Sequence, residues 1–145
     1  MKHSIEQTVR RLRELTAPNL LVRLATGTPA DGSLRYELQQ PHTFYLAVAE
    51  QAFPFNDRLV PLWETNGDSI TAFVDTETPF VIRYYYEDPP DHYEVVGHSI
   101  MEAIEHKLDW LLNETGDDPA SVLAAARACD HPNAEELVKR LQAGQ

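Results

Sequence analysis

The chain has 145 residues, of which 23 are acidic and 12 are Lys or Arg, and its formal net charge is −11. This length is enough for one well-buried core, and the single cysteine, Cys129, excludes an internal disulfide and therefore a disulfide-rich secreted scaffold. No signal-peptide pattern and no long apolar run of membrane-spanning length occurs, so we expect a soluble cytoplasmic protein.

The acidic residues are concentrated in the middle of the chain. Residues 51–120 contain 15 acids and only 3 Lys or Arg, whereas residues 1–50 contain 5 acids and 6 Lys or Arg. A negative field of this kind repels nucleic acid and anionic membranes and attracts a basic protein surface. The alternative interpretation is a solvated acidic face that only keeps the protein soluble.

The first part of the chain predicts helices. Ser4 followed by Gln7 forms a capping-box pattern before apolar residues at helical spacing, so an amphipathic helix should begin there and end before Pro18. Residues 19–38 include a short apolar run that periodicity assigns neither to helix nor to strand. Residues 42–55 are apolar and free of Gly and Pro for most of their length, which favours a short buried helix.

The middle of the chain has the composition of strands. Short runs of β-branched and aromatic residues alternate with turn residues, which predicts strands at residues 58–64, 68–75, 79–87 and 92–97. Between the first two strands, the pair Asn66-Gly67 supplies the positive φ angles of a tight hairpin. We therefore expect an antiparallel meander.

Helical signals return after the last strand. Ser99 and Glu102 form a second capping-box pattern, followed by an apolar face that runs to Leu112 and should cover the sheet. Two later segments each open with Asp and an early Pro, which predicts a C-terminal helical pair. The expected fold class is α+β: residues 1–115 form a single antiparallel or mixed sheet flanked by helices, and residues 116–145 form a helical extension packed on the same domain.

Two groups of residues raise the hypothesis of a metal site: His98, Glu102 and His106 at four-residue spacing, and Asp88, Asp91 and His92 in a loop. The first group lies opposite the apolar face of the predicted helix, where a helix normally exposes its charges to water. The second group has too few acids for the oxygen cage that Ca²⁺ prefers. We therefore expect no metal and no cofactor.

No motif commits the chain to catalysis. The patterns G-x-S-x-G, G-x-G-x-x-G and G-K-[ST] are all absent from the sequence. Cys129 lies in a predicted helix, where it suits a small buried hydrophobe better than a reactive thiolate. We expect no catalytic residue.

The aromatic run Tyr84-Tyr85-Tyr86 lies on the third predicted strand. Alternation places Tyr84 and Tyr86 on one face of that strand, and Tyr85 with Arg83 on the other. One face should belong to the core, and the other is either a half-buried sheet face or an aromatic patch that anchors a partner. Together with the acids of the nearby turns, the candidate partner-binding residues are Trp63, Glu64, Asp68, Asp75, Arg83, Tyr85, Glu87, Asp88, Asp91 and Glu94.

The order of these elements resembles the SUKH superfamily, also described as the Smi/Knr type of domain. The corresponding pieces are "PLWE" from Pro61, "GDSITAFVD" from Gly67, "FVIRYYYED" from Phe80 and "SIMEAIEHKLDWLL" from Ser99. The resemblance covers residues 59–112. It implies an α+β fold without catalytic residues and, as for many bacterial members, an immunity protein that binds and blocks a toxin, often a nuclease.

The sequence thus predicts a non-catalytic protein-binding module, and specifically an immunity protein whose acidic surface binds a basic partner such as a cognate toxin. No nucleic acid and no membrane is expected as a partner, and the sequence leaves the oligomeric state open. One alternative is a regulatory or scaffold domain that binds a host protein, or a small ligand in a pocket between sheet and helices. The other is a hydrolase whose catalytic residues form no recognisable motif.

Overall fold

The computed structural model describes residues 4–47, 52–55 and 58–144, and these residues form one sheet with helices around it. The elements in chain order are α1 (Ile5–Glu14), α2 (Asn19–Ala25), α3 (His42–Tyr45), β1 (Leu59–Thr65), β2 (Ser69–Val74), β3 (Phe80–Tyr85), β4 (Glu94–Gly97), α4 (Ile100–Asp109), α5 (Pro119–Ala128) and α6 (Ala134–Gln142). The predicted α+β class is confirmed. Within the described ranges, no helix has both the length and the apolar composition needed to cross a membrane.

The N-terminal helices follow the local sequence signals. The Ser4 hydroxyl accepts a hydrogen bond from the Gln7 amide at 3.1 Å, which confirms Ser4 as the N-cap of α1. The apolar run that periodicity alone does not assign is the buried helix α2, followed by a 3₁₀ turn at Gly32–Leu34. The helix predicted for residues 42–55 is realised as the single turn of α3, and residues 48–51 of that prediction lie outside the described residues.

The four strands form an antiparallel meander in the order β1-β2-β3-β4, as predicted. The turn between β1 and β2 has positive φ angles at Asn66 (55°) and Gly67 (71°), which is the backbone that a tight two-residue hairpin requires. β1 has an irregularity between Pro61 and Trp63, where its register against β2 shifts. Side chains beyond that point therefore change face relative to simple alternation.

Both faces of the sheet are covered. On one face, Val60, Trp63 and Val81 pack with apolar residues of α1, α2, α4, α5 and α6 in what we call the helix-side core. On the opposite face, Ile82 and Tyr84 pack with Phe44, Tyr45 and Phe53 in a smaller second core. The sheet and the C-terminal helices therefore share one hydrophobic core, the helix-side core.

The helix α4 begins at the second capping pattern and lies close to β4. The Glu102 amide donates to the Ser99 hydroxyl at 3.1 Å, and the helix continues into a π-helical turn at Trp110–Glu114. At Gly97, a Cβ atom would lie 2.8 Å from the backbone nitrogen of Ala103. The close approach of helix and strand thus depends on glycine at this position.

The C-terminal pair forms as predicted, but only its first helix begins as expected. The Asp118 carboxylate accepts from the Ser121 amide at 2.9 Å and caps α5. Asp130 does not open α6: its positive φ of 55° places it in the turn that ends α5, and Asn133 precedes α6 instead. In the sequence, Asp130 followed by Pro132 has the pattern of a helix start. In the structure, Asp130 adopts a left-handed backbone conformation and ends α5 instead.

Candidate functional site

The connection between β3 and β4, residues 86–93, is exposed and strongly negative, and we call it the acidic loop. Glu87, Asp88 and Asp91 are all exposed, as predicted for a contact surface. Several hydrogen bonds hold the loop: the Tyr84 hydroxyl donates to the carbonyl of Asp88, the Asp88 amide to the carbonyl of Tyr85 at 3.0 Å, and the His92 amide to the carbonyl of Pro89 at 2.9 Å. The acids are therefore presented on a fixed backbone.

The two acids that flank β2 lie at opposite ends of the sheet. Asp68 is exposed, and its carbonyl accepts from the Tyr86 amide at 3.0 Å, so the β1–β2 turn adjoins the acidic loop. Asp75 follows the other end of β2, roughly 20 Å away at the rise of a strand, and its carboxylate lies 3.8 Å from the Arg11 guanidinium. The structure therefore groups Asp68, but not Asp75, with the acidic loop.

Glu64 is buried, so its predicted exposure is wrong. Its side chain accepts hydrogen bonds from the Thr43 amide (3.1 Å), the Thr43 hydroxyl (3.3 Å) and the Tyr86 hydroxyl (2.7 Å). Burial and the adjacent Glu64 carboxylate raise the pKa of Tyr86. Glu64 thus joins α3 to the end of β3 and has a structural role.

Trp63 is also buried, which favours a place in the core over the partner-binding role for which it was a candidate. It is only 1% exposed, because the register shift after Pro61 turns its side chain into the helix-side core. Trp63 pairs with Thr71 of β2, and Thr71 pairs with Arg83 of β3. The indole therefore begins a row of side chains that crosses the sheet towards its β4 edge.

The row ends in the partly exposed residues that the aromatic pattern singled out. Arg83 forms an ion pair with Glu94 on β4 at 2.6 Å, and its guanidinium lies 5.7 Å from the centre of the Tyr85 ring. Tyr85 is 43% exposed. Although Val81 on the same face is buried, the Arg83–Tyr85 end of the strand reaches solvent, which is where an aromatic contact patch was considered.

A groove of about 310 Å³ separates this end of the sheet from the end of α4. Its walls include Asp68, Arg83 and Tyr85 from the predicted set, together with Lys107 and Trp110. Lys107 is buried, lies 4.7 Å from the Trp110 ring and pairs with Glu37 at 3.3 Å. Burial lowers the pKa of Lys107, and the pairing with Glu37 opposes that change.

Sequence reasoning missed Lys107 and Trp110 as site residues. The available signal was the position of Lys107, which is three residues after Ile104 and therefore on the apolar face of α4. A lysine at such a position either reaches solvent along its aliphatic stem or finds a buried counterion. The counterion Glu37 is 70 residues away in the chain, which is why local patterns do not reveal it.

Two buried nitrogen atoms behind the groove have no hydrogen-bond partner in the described part of the protein. They are Trp63 Nε1 and Arg83 Nε, and both residues line a void of about 20 Å³ next to Lys107 and Trp110. A void of this size has room for one water-sized atom, and both nitrogen atoms are donors. The site is thus suited to a single acceptor oxygen.

Among the described residues, neither a metal site nor a reactive cysteine is present. Within these ranges no three His, Cys, Asp or Glu side chains converge in a manner that suits a metal ion. Cys129 is fully buried, and burial, with a smaller effect of the Asp130 charge, raises the pKa of its thiol to about 12. The thiol is therefore protonated and inaccessible at neutral pH.

No protein-family model matches this chain, and no curated protein or solved structure matches it significantly. The fold and the geometry of the acidic loop and groove are therefore the basis for any functional statement.

Proposed function

We propose that this protein is a non-catalytic binding module that neutralises a basic toxin through the acidic loop, as an immunity protein does. The observation that carries the proposal is the exposed, unneutralised charge of Glu87, Asp88 and Asp91 on a hydrogen-bonded loop. None of the three forms an ion pair with another described residue. Between Arg83 and Lys107 the sequence contains no Lys or Arg.

Electrostatics gives such a surface a specific advantage. Complementary charge accelerates the encounter of two proteins, and a loop that is already ordered loses little entropy when a partner binds. The exposed rings of Tyr85 and Trp110 in the neighbouring groove supply the apolar contacts from which most binding energy is usually derived. The charges of this surface would therefore raise the association rate, and its aromatic rings would slow dissociation.

The choice of a toxin as the partner follows from the resemblance to the SUKH superfamily. Its bacterial members include many immunity proteins, and the matching motifs of this chain surround the acidic loop and the groove. A nuclease toxin fits the charge as well, because proteins that bind nucleic acid have basic surfaces. The immunity protein would then compete with nucleic acid for the same basic residues.

Co-expression with the products of neighbouring reading frames tests this proposal. We expect one product to be toxic and basic, to co-purify with this protein and to be neutralised by it. The loop variant, with Glu87→Lys, Asp88→Lys and Asp91→Lys, should fail to protect cells. If no neighbouring product is toxic or bound, the immunity role is contradicted.

A matched control variant separates the acidic loop from net charge. Glu14→Lys, Asp31→Lys and Glu114→Lys change the net charge by the same amount at exposed positions on other elements. This control variant should protect cells as the wild-type protein does. Equal loss of protection in the two variants would show that overall charge, and not the loop, determines binding.

The groove supports a second candidate function, that of a regulatory domain which binds a small ligand. Its volume of about 310 Å³ lies at the lower end of the range for ligand pockets, and aromatic rings flank charged groups within it. A Trp110→Ala variant that leaves partner binding intact but abolishes the response to a small molecule would favour this function. A loss of partner affinity alone would instead make Trp110 part of the protein interface.

A further inference from the structure

The outer edge of β4 is free in the part of the chain that the structure describes. β4 is the last strand of the sheet and pairs with β3, and outside this ladder no backbone group of residues 93–97 bonds to another described segment. At the other edge of the sheet, β1 forms an additional bridge between Gln39 and Glu64. Alternate N–H and C=O groups of an edge strand point away from the sheet, so β4 offers them to one more strand.

The side chains along this edge differ between the two faces of the sheet. On the face of the second core, Val95 is 49% exposed and Tyr93 is 39% exposed, and the Tyr93 ring packs against Phe55 at 5.2 Å. On the helix-side face, Glu94 pairs with Arg83 across the strands. A strand placed beside β4 would meet apolar groups on one face and a carboxylate on the other.

The charge around the edge of β4 determines which kind of segment can bind beside it as a strand. The acidic loop leads directly into β4, and the chain has a net charge of −11. A second copy of this chain, paired edge to edge, would bring two acidic loops together, and like charges at neighbouring strand positions are destabilising. A basic segment has the complementary charge.

We propose that β4 binds an extended segment of the partner as a fifth strand, in which Lys or Arg alternates with apolar residues. The basic side chains face Glu94 and the acidic loop, and the apolar side chains cover Val95 and Tyr93. Main-chain hydrogen bonds give affinity in this mode, and alternate side chains give specificity. The inference rests on the proposed function, because it takes the partner to be a basic protein.

Two synthetic peptides with blocked termini test the inference. The alternating probe is (Lys-Val)₄, and the control peptide has the same composition arranged as Lys₄Val₄. Amide exchange of residues 94–97 is followed by NMR at low salt. With the alternating probe at ten times its Kd, outward-pointing amides that it bonds should exchange about elevenfold more slowly. The control peptide should shift resonances of the acidic loop without protecting β4.

A substitution in the edge strand β4 provides a second, independent test. Val95→Lys places a positive charge at a half-exposed position of the edge strand, so it should preserve the fold and abolish protection by the alternating probe. The same variant should still show the loop shifts, because the acidic loop is unchanged.

Three outcomes would overturn the inference in distinguishable ways. If both peptides shift the loop and neither protects β4, strand addition is wrong and the proposed function stands. If neither peptide perturbs the loop, the acidic loop does not attract basic segments and the proposed function fails as well. If β4 amides become protected without peptide as the protein concentration rises, a second copy occupies the edge.

Discussion

At the level of single residues, Glu64 shows how a charge can serve the fold inside this protein. Its carboxylate accepts from both the amide and the hydroxyl of Thr43 and from the hydroxyl of Tyr86. These donors come from α3 and from the first residue of the acidic loop, two segments that no local sequence signal connects. The carboxylate thereby fixes the segment that covers the second core.

Removal of this carboxylate should destabilise the protein. We expect Glu64→Ala to lower the free energy of unfolding by about 2 to 3 kcal/mol, because buried donors lose their acceptor. The control Glu87→Ala, at an exposed loop position, should change it by less than about 0.5 kcal/mol. Urea unfolding followed by circular dichroism measures both. Equal small effects would mean that Glu64 does not hold α3 in place.

The buried thiol of Cys129 makes stability depend on alkaline pH. Burial raises its pKa from 9.0 to about 12, so below pH 9 the thiol is protonated in both the folded and the unfolded state. Above pH 9 the thiol ionises in the unfolded state but not in the folded state, and this ionisation stabilises the unfolded state. The contribution of Cys129 to stability is therefore complete below pH 9 and is lost as the pH rises towards 12.

Comparison with Cys129→Ala isolates this effect. Between pH 8 and pH 10 the wild-type protein should lose about 1.4 kcal/mol more unfolding free energy than the variant, since the ionisable thiol is missing from the variant. Urea unfolding at the two pH values gives the difference. Parallel losses in both proteins would show that the thiol is accessible and its pKa is ordinary.

At the level of elements, α4 determines the shape of the candidate binding surface. One of its faces contributes Ile104 and Leu108 to the helix-side core, and its end supplies Lys107 and Trp110 to the groove. Its approach to β4 depends on Gly97, where any side chain would meet the helix backbone. The same helix therefore packs in the core with one face and forms a wall of the groove at its end.

Placing a charge on the inner face of α4 should unfold the domain. Ile104 is 2% exposed, so Ile104→Asp buries an unpaired carboxylate and should cost about 4 kcal/mol or more. The control His106→Asp changes an exposed position of the same helix and should cost less than about 1 kcal/mol. Thermal unfolding distinguishes the two variants. A folded Ile104→Asp protein would contradict the core role of α4.

At the level of the whole molecule, the sequence predicted what depends on neighbouring residues and missed what depends on distant ones. The caps at Ser4, Ser99 and Asp118 and the hairpin at Asn66-Gly67 are local signals, and each is confirmed. Trp63 and Glu64 are candidates for partner binding in the sequence, and both are buried in the structure. Trp63 turned inward after a strand irregularity, and Glu64 was covered by a segment about 20 positions upstream.

The candidate surface shows the same division. The exposed acids of the loop and the partly exposed Arg83–Tyr85 end of β3 follow from turn residues and strand alternation, so the sequence was sufficient to find them. The groove could not be predicted in the same way, because one of its walls depends on the ion pair of Lys107 with Glu37, and these two residues are separated by 70 positions. Asp75 does not belong with the other acids, and the length of the predicted strand at residues 68–75 already places its two ends roughly 20 Å apart.

The most direct test of the central claim is the association rate constant of this protein with the basic neighbouring product that the proposed function predicts as its partner. In stopped-flow experiments, the loop variant should associate at least about tenfold more slowly than the wild-type protein at low salt, and the control variant by less than about threefold. The wild-type rate should also fall steeply as salt rises from about 20 to 200 mM. Equal rates for the loop variant and the wild type, unchanged by salt, would contradict binding through the acidic loop.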